Sequence, residues 1–559
     1  MNGYLESKKS NCKNCYKCIR HCPIKAIRFS DDQAQIVEDE CILCGMCYTV
    51  CPQNVKVIRN DTQKVLEMIK SDDPVYVSLA PAFIANYENT NITSMKKALK
   101  ALGFKDAEET AVGAGIVKKA YDEMVNEETK DIIISSCCHS VNILIQKYYP
   151  EVLTYLAPIK SPMLAHCEKI KSDHEGAKTV FIGPCISKKA EAEMYGGIVD
   201  AVLTFDELDM MLEEKGIQIE PCEDESDAFV SRLFPTTGGI LKSMHCENGN
   251  YTYLAVDGVE NCINAIEDIK KGKLSKCFIE MSACAGSCIN GPVISNKNKG
   301  IIRDTLSVNS YAGKDDLDIP QPELSKLSKN MQYIGLNRTM PGSSAIEEIL
   351  RKMGKTSKEH ELNCGSCGYN TCREKAVAIL QGKASLTMCL PYLLEKAESF
   401  SDTIIKNTPN GIIVLNEDLE VQQINKSAKQ IMNIKSSDDV LGNPVVRILD
   451  PAKFMDVLST GRNVHDKLVY LADYGKYIEE SIIYDKSYHI IMSIMRDVTD
   501  QETAKAKRSE NAKQTIEITD KVVAKQMRVV QEIASLLGET TAETKVALTK
   551  LKESFTDDE

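Results

Sequence analysis

Between residues 12 and 51 one pattern of cysteines occurs twice, as CKNCYKCIRHCP and CILCGMCYTVCP. The first sets Cys12, Cys15, Cys18 and Cys22 at C-x2-C-x2-C-x3-C before a proline, and the second sets Cys41, Cys44, Cys47 and Cys51 likewise. Short spacers bring three sulfurs to one side of a loop, so this stretch must fold around something that binds thiolates. Disulfide scaffolds are short secreted chains, whereas this one has 559 residues and gathers many of its 22 cysteines at metal-ligand spacings. That length implies about three to five domains. The N-terminal MNGYLESKKS is polar and no apolar run approaches a membrane span, so a cytoplasmic, reducing setting with no membrane is expected. A formal net charge of -12 disfavours nucleic acid as a partner.

The tandem spacing is that of a bacterial two-cluster ferredoxin, in which three thiolates hold one cubane and the fourth crosses to the other. That resemblance assigns Cys12, Cys15, Cys18 and Cys51 to one 4Fe-4S cluster and Cys41, Cys44, Cys47 and Cys22 to the second. A pair of zinc knuckles is the alternative, and the repeated Cys-Pro endings argue against it.

From about residue 74 strands alternate with helices. PVYVSLAP precedes SMKKALKALG, DIIISS precedes VNILIQKYY, TVFIGP precedes SKKAEAEMY, and VDAVLTF precedes DELDMMLEEKG. Such alternation predicts a doubly wound, mainly parallel sheet, whose ligands bind beyond the carboxyl ends of the strands. Cysteines fall at that location: Cys137 and Cys138 in SSCCHSVN, Cys185 after TVFIGP, and Cys284 and Cys288 in EMSACAGSC. Neighbouring side chains on an extended chain point apart, so Cys137 and Cys138 do not serve one metal atom together. Four thiolates complete a cubane, which leaves one thiol over.

Roughly residues 1–350 resemble FeFe-hydrogenases. The family has three signatures around its H-cluster, matched here by SSCCH, by GPCISKKAE (Pro184, Cys185, Lys188, Lys189, Glu191) and by EMSACAGSC (Glu280, Cys284, Cys288). APAF, with Pro81 and Ala82, and TTGG (Thr236 to Gly239) fall where the family has similar segments. The resemblance implies that Cys138, Cys185, Cys284 and Cys288 hold the H-cluster cubane. It implies that Cys288 bridges to a two-iron subsite with CO, cyanide and a bridging dithiolate. Lys188 then matches the lysine that hydrogen-bonds a cyanide, and Cys137 the thiol that passes protons. The alternative for Cys137 is a small buried hydrophobe.

Gly183 and Ser282 stand where the family has methionines against the subsite, which predicts a more open or more polar pocket. His139 replaces a proline, and Ala82 a serine. The acidic residues of the family's outer proton path have no clear counterpart. These departures keep the metal ligands and argue against fast hydrogen turnover. Cys167, Cys222, Cys246, Cys262 and Cys277 lack ligand spacing and read as buried thiols, and His166, His174 and His245 receive no role.

A further quartet, Cys364, Cys367, Cys372 and Cys389, has spacing C-x2-C-x4-C-x16-C, with the long gap read as a returning helix. It resembles a small 4Fe-4S module of anaerobic redox proteins, with structural zinc as the alternative. Residues 407–500 resemble a PAS sensor domain, closing on SYHIIMSIMRDVTD, and His465 and His489 there read as ordinary histidines rather than haem ligands. In the tail, Ile516, Val523, Val530 and Leu537 recur every seven residues, which predicts a parallel coiled coil or a hairpin turning at Gly538. RVVQEIASLLGET loosely resembles a histidine-kinase dimerisation helix, with Gln531 at the position of the phospho-accepting histidine.

The expected chain is multidomain α/β. It comprises a two-cluster ferredoxin-like domain (1–60), an H-cluster domain (61–355), a four-Cys module (356–395), a connecting helix with PAS domain (396–500) and a helical tail (501–559). With four 4Fe-4S clusters and a two-iron subsite, it reads as a sensory hydrogenase of low turnover. Its expected partners are H2 and protons, a ferredoxin, hydrogenase maturation proteins, a second copy and a signalling partner such as a serine/threonine phosphatase. An ordinary fermentative or bifurcating hydrogenase is the first alternative, although no flavin or nicotinamide motif is visible. A non-catalytic iron–sulfur scaffold or assembly protein is the second.

Overall fold

The computed structural model describes residues 3–8, 12–294, 300–336, 338, 340–537 and 542–554. It divides into two compact units, Met1–Leu393 and Leu394–Glu559. Among the described residues no helix is long and apolar enough to cross a membrane.

The first unit begins with four short strands, β1 (Leu5–Ser7), β2 (Ile27–Ser30), β3 (Gln33–Ile36) and β4 (Lys56–Ile58). β1 pairs antiparallel with β4, and β2 with β3. Each cysteine motif ends in one helical turn, Lys17–Arg20 or Met46–Thr49, entered through a residue at positive φ (Tyr16, 53°; Gly45, 75°). At Gly45 a Cβ would also lie 2.5 Å from Pro292, so glycine lets this loop sit against the following domain.

That domain contains β5 (Val75–Leu79), β6 (Asp106–Glu109), β7 (Ile132–Ile134), β8 (Lys178–Gly183), β9 (Ala201–Thr204), β10 (Thr252–Asp257) and β11 (Cys277–Ser282). The expected strand–helix alternation is present, but the strands form two parallel sheets rather than one. Their orders are β6-β5-β8-β9 and β10-β11-β7. β5 and β11 are buried along their whole length, the pattern of strands covered on both faces. Helix ends are marked locally. Asn91 accepts a hydrogen bond from the Ser94 amide to start Ile92–Leu102, and Thr204 with Glu207 forms a capping box on Phe205–Lys215.

In the second unit β12 (Gly411–Asn416), β13 (Val421–Ile424), β14 (Val464–Leu471), β15 (Lys476–Asp485) and β16 (Ile490–Asp497) form one antiparallel sheet of order β13-β12-β16-β15-β14. Ile413, Leu415, Val457, Ile482 and Ile491 are fully buried in its core. The helix Thr499–Leu537 is continuous, with Ile518, Val522, Val529 and Ile533 exposed along it. A second helix, Ala542–Ser554, is tied to the first by Lys552 and Asp520 at 3.1 Å. Gly538, the expected turn, lies outside the described residues.

Candidate active site

Fifteen of the sixteen expected cysteine ligands, all but Cys284, line four separate voids. Cys12, Cys15, Cys18 and Cys51 line one, and Cys22, Cys41, Cys44 and Cys47 line another, so the last cysteine of each motif crosses to the other trio. Amides point at the sulfurs: Ala26 N lies 3.3 Å from Cys22 Sγ, and Leu43 N lies 3.3 Å from Cys41 Sγ. Burial pushes the Cys18 and Cys41 thiols up to about 11, so protons must be displaced when metal binds. Among the described residues no three His, Cys, Asp or Glu side chains converge closely enough for a single metal ion. The quartets surround space instead, a geometry that suits a cubane better than a mononuclear site.

The third site is a cavity of about 120 Å³ beyond the carboxyl ends of strands from both parallel sheets. Cys137 and Cys138 follow β7, Cys185 follows β8, and Cys284 and Cys288 follow β11. The wall carries Cys137, Cys138, Cys185, Cys288, Lys188, Glu280 and Ser282, with Pro81 and Ala82 from the end of β5. Cys284 is half-buried and is not on that wall; desolvation and the neighbouring Cys185, Cys138 and Cys288 raise its thiol. Cys288 is exposed only in the sense that it faces this cavity. Cys138 Sγ receives the Ala283 amide at 3.4 Å.

Cys137 is set differently. Its sulfur lies 3.3 Å from the hydroxyl of the fully buried Tyr121, which in turn accepts the Ser136 amide at 2.9 Å. Burial pushes the Cys137 thiol up to about 12, against the opposing pull of that hydroxyl. Lys188 donates to Cys137 O at 3.1 Å and pairs with Glu191. Glu191 also takes Ser161 Oγ at 3.0 Å and Lys329 Nζ at 3.2 Å. Burial alone would raise this carboxyl, but the Lys188 and Lys329 ammoniums hold it well below the usual range. Lys189, the second lysine of the signature, bridges Asp61 (2.8 Å) and Glu207 (2.9 Å), fastening the start of the helix Thr62–Lys70 to the start of Phe205–Lys215. His139 is buried and pushed down to about 3 by that burial, and among the described residues its Nε2 has no hydrogen-bond partner. Glu280 is pushed up to about 7 by burial, although the Gly238, Ile240 and Leu241 amides donate to it.

The expectation of a more open or more polar pocket rests on Gly183 and Ser282. Gly183 does not reach the cavity wall. A Cβ there would come within 2.8 Å of the Phe181 ring, and it is Phe181 that lines the cavity. An aromatic ring two residues earlier on the same strand face thus fills the space that the glycine leaves. Strand periodicity carried that signal. Ser282 lines the wall. Tyr121, Ser161 and Lys329 were not singled out from the sequence, and no local pattern marks them. Cys167, Cys262 and Cys277 are buried as expected, whereas Cys222 and Cys246 are partly exposed.

The fourth void is lined by Cys364, Cys367, Cys372 and Cys389, together with Met353, Tyr369 and Lys375. The helix in the long gap is shorter than expected, Cys372–Leu380, and a single turn at Leu386–Met388 returns the chain to Cys389. Ser366 Oγ lies 3.3 Å from Cys364 Sγ and holds that thiol below its ordinary value. Lys375 is fully buried, and burial lowers it while the four cysteines oppose the shift. This segment packs on the ferredoxin-like one through Lys25 Nζ to Gly368 O (3.0 Å) and Phe29 N to Lys383 O (2.7 Å). In the second unit, His489 is exposed and pairs with Glu417 at 2.9 Å, and His465 is exposed.

Residues 73–292 match the family described as iron only hydrogenase large subunit, C-terminal domain. Residues 5–61 match a 4Fe-4S dicluster domain, 361–391 an Fe-S cluster family, and 409–500 a PAS domain. The chain is 27% identical over 301 residues to the periplasmic [Fe] hydrogenase large subunit of Nitratidesulfovibrio vulgaris, covering 43% of this chain and 71% of that one. It is 24% identical over 258 residues to iron hydrogenase 1 of Clostridium pasteurianum, covering 35% of this chain and less than half (44%) of the relative. It is also 21% identical over 340 residues to the nuclear prelamin A recognition factor of Xenopus laevis, covering 46% and 74%. Among solved structures, an apo FeFe-hydrogenase from Chlamydomonas reinhardtii aligns with TM-score 0.40 and 17% identity, over 50% of this chain and 100% of the other. Residues 73–292 thus match the iron-only hydrogenase family model, in one chain with matches to 4Fe-4S dicluster, Fe-S cluster and PAS domains.

Proposed function

We propose that this chain is a sensory hydrogenase. Cys138, Cys185, Cys284 and Cys288 would hold the H-cluster cubane, with Cys288 also reaching the two-iron subsite. The bound cofactor supplies the chemistry, the reversible conversion of H2 to two protons and two electrons. The observation that carries this reading is the convergence of Cys137 and Lys188 on the same buried cavity as the cubane ligands. Lys188 presents an ammonium to that space, fixed by Glu191. Cys137 presents a thiol that can give or take a proton, steadied by Tyr121. The two ferredoxin-type quartets and the Cys364 quartet would bring the total to four cubanes that exchange electrons with a carrier such as a ferredoxin.

The sensory part rests on the PAS domain and the long helix after it. A second copy would cover the exposed Ile518, Val522, Val529 and Ile533, and the assembled tail would present the signal to a partner protein, with a serine/threonine phosphatase as the first candidate. The test uses matured full-length protein and whatever binds through residues 407–559. A switch requires different partner affinity in the H2-treated and oxidised forms, and a tenfold difference corresponds to about 1.4 kcal/mol. Equal affinity in both forms, with turnover as fast as a fermentative hydrogenase, would favour the ordinary enzyme.

Similarity to a cytosolic Fe-S cluster assembly factor of Yarrowia lipolytica, 24% identical over 219 residues, supports a second reading, a non-catalytic iron–sulfur protein. Under that reading the cubanes fill and the two-iron subsite never does, so matured protein would show no CO or cyanide bands.

A further inference from the structure

Two buried lysines near the candidate centres, Lys56 and Lys375, make no ion pair among the described residues; Lys56 donates to Ser7 Oγ and the Ala34 carbonyl, and the others have carboxylates. Lys188 and Lys329 share Glu191, Lys189 has Asp61 and Glu207, and Lys383 has Glu40. Lys375 is 1% exposed, and among the described residues it makes no ion pair. Among those residues its Nζ reaches only the Leu386 carbonyl, at 3.4 Å. It lines the same void as Cys364, Cys367, Cys372 and Cys389. A buried ammonium without a carboxylate is costly unless negative charge lies nearby, and four thiolates around a cluster provide it. Each electron added to such a cluster increases the negative charge, so the fixed cation favours the reduced form over the oxidised one.

Cys389 is also the residue immediately before the helix Leu390–Asn407, and β12 of the PAS domain begins at Gly411. The amino end of that 18-residue helix therefore starts at a ligand of this quartet, where the helix dipole further favours negative charge. We infer that Lys375 raises the reduction potential of the cluster held by Cys364, Cys367, Cys372 and Cys389, so that a reducing signal is retained at the root of the helix leading to the PAS domain. The inference rests on the reading of this quartet as a cubane site. It does not depend on H2 reactivity at the other cavity.

The test is a chemical reductant titration of the full-length protein followed by electron paramagnetic resonance, with Cys364→Ala identifying the signal of this cluster. In Lys375→Met the reduced-to-oxidised ratio at a fixed potential should fall at least tenfold for that cluster alone, about 59 mV for one electron. The other clusters should not move, and Lys375→Arg should stay near the parent. Amide exchange across residues 390–407 should change on reduction in the parent, and in Lys375→Met only at the lower potential. An unchanged midpoint in Lys375→Met with iron retained overturns the inference. So does an equal shift in Lys375→Arg, loss of the cluster from both variants, or no exchange response to reduction. If Lys375→Met alone loses iron, Lys375→Gln takes its place, and loss of iron there too is an overturning result. Because the reductant is chemical, failure of the hydrogenase reading would show separately, as missing CO and cyanide bands.

Discussion

The Cys364 site and the Cys137–Cys138 cavity both place thiols around a void, yet they are built differently. The Cys364 quartet comes from one short stretch, and its single buried cation, Lys375, lies on the helix that begins with a ligand. The larger cavity draws on the ends of strands in two sheets. Its cations are neutralised by a carboxylate, Glu191, that receives Lys188, Lys329 and Ser161. A local site can have its charge tuned by one residue. An assembled site depends on a buried network in which no member can be removed alone.

The largest expected contrast comes from deleting one ligand at each place. Cys138→Ala should lose the H-cluster cubane and with it all H2 turnover. Cys364→Ala should lose one cubane and leave the CO and cyanide bands in place. Iron content and infrared spectra of the two proteins decide it, and equal loss of the bands would mean that the sites are not separable. Next, Cys137→Ala should keep iron and bands while cutting turnover by roughly 100-fold, the scale of a lost proton-transfer group. If it loses iron as Cys138→Ala does, the division between the adjacent thiols is wrong.

Glu191→Gln should show how far the cavity depends on its network. Leaving Lys188 and Lys329 buried without their carboxylate should cost about 3–5 kcal/mol of stability. Denaturant unfolding would measure that cost, and a loss as small as that of a surface substitution would contradict the network. The smallest effect concerns pH. Glu280 is raised to about 7 in the folded chain, above its value of 4.5 when free, so the folded state binds the extra proton across that window. Its contribution to stability therefore falls as pH rises from about 4.5 to 7 and is constant above. Between pH 6 and 7 the thermal midpoint should fall less steeply in Glu280→Gln than in the parent. Identical slopes would place the titration elsewhere.

The same contrast explains what the sequence reveals. Local spacing marks the two ferredoxin-type runs and the start of the Cys364 quartet, because three cysteines of each lie within short loops. The crossing of Cys22 and Cys51 follows from known ferredoxin spacing and appears in the voids they line. The strand–helix alternation is equally legible, but its division into two sheets is not, since order within a sheet depends on pairings such as β11 with β7 that no local pattern encodes. Lys329 reaches Glu191 from far along the chain, and Tyr121 reaches Cys137 from the helix before it. Such partners become visible only once the chain has folded. Phe181 is the exception, a ring on the same strand face as Gly183 that alternation could have exposed.

The most direct test of the central claim is an infrared spectrum of the matured full-length protein, recorded oxidised and then under H2. The account predicts iron-bound CO and cyanide bands that shift reversibly between the two conditions, with the H2-treated form differing in partner affinity. Filled cubanes with no such bands, or bands that do not respond to H2, would contradict it.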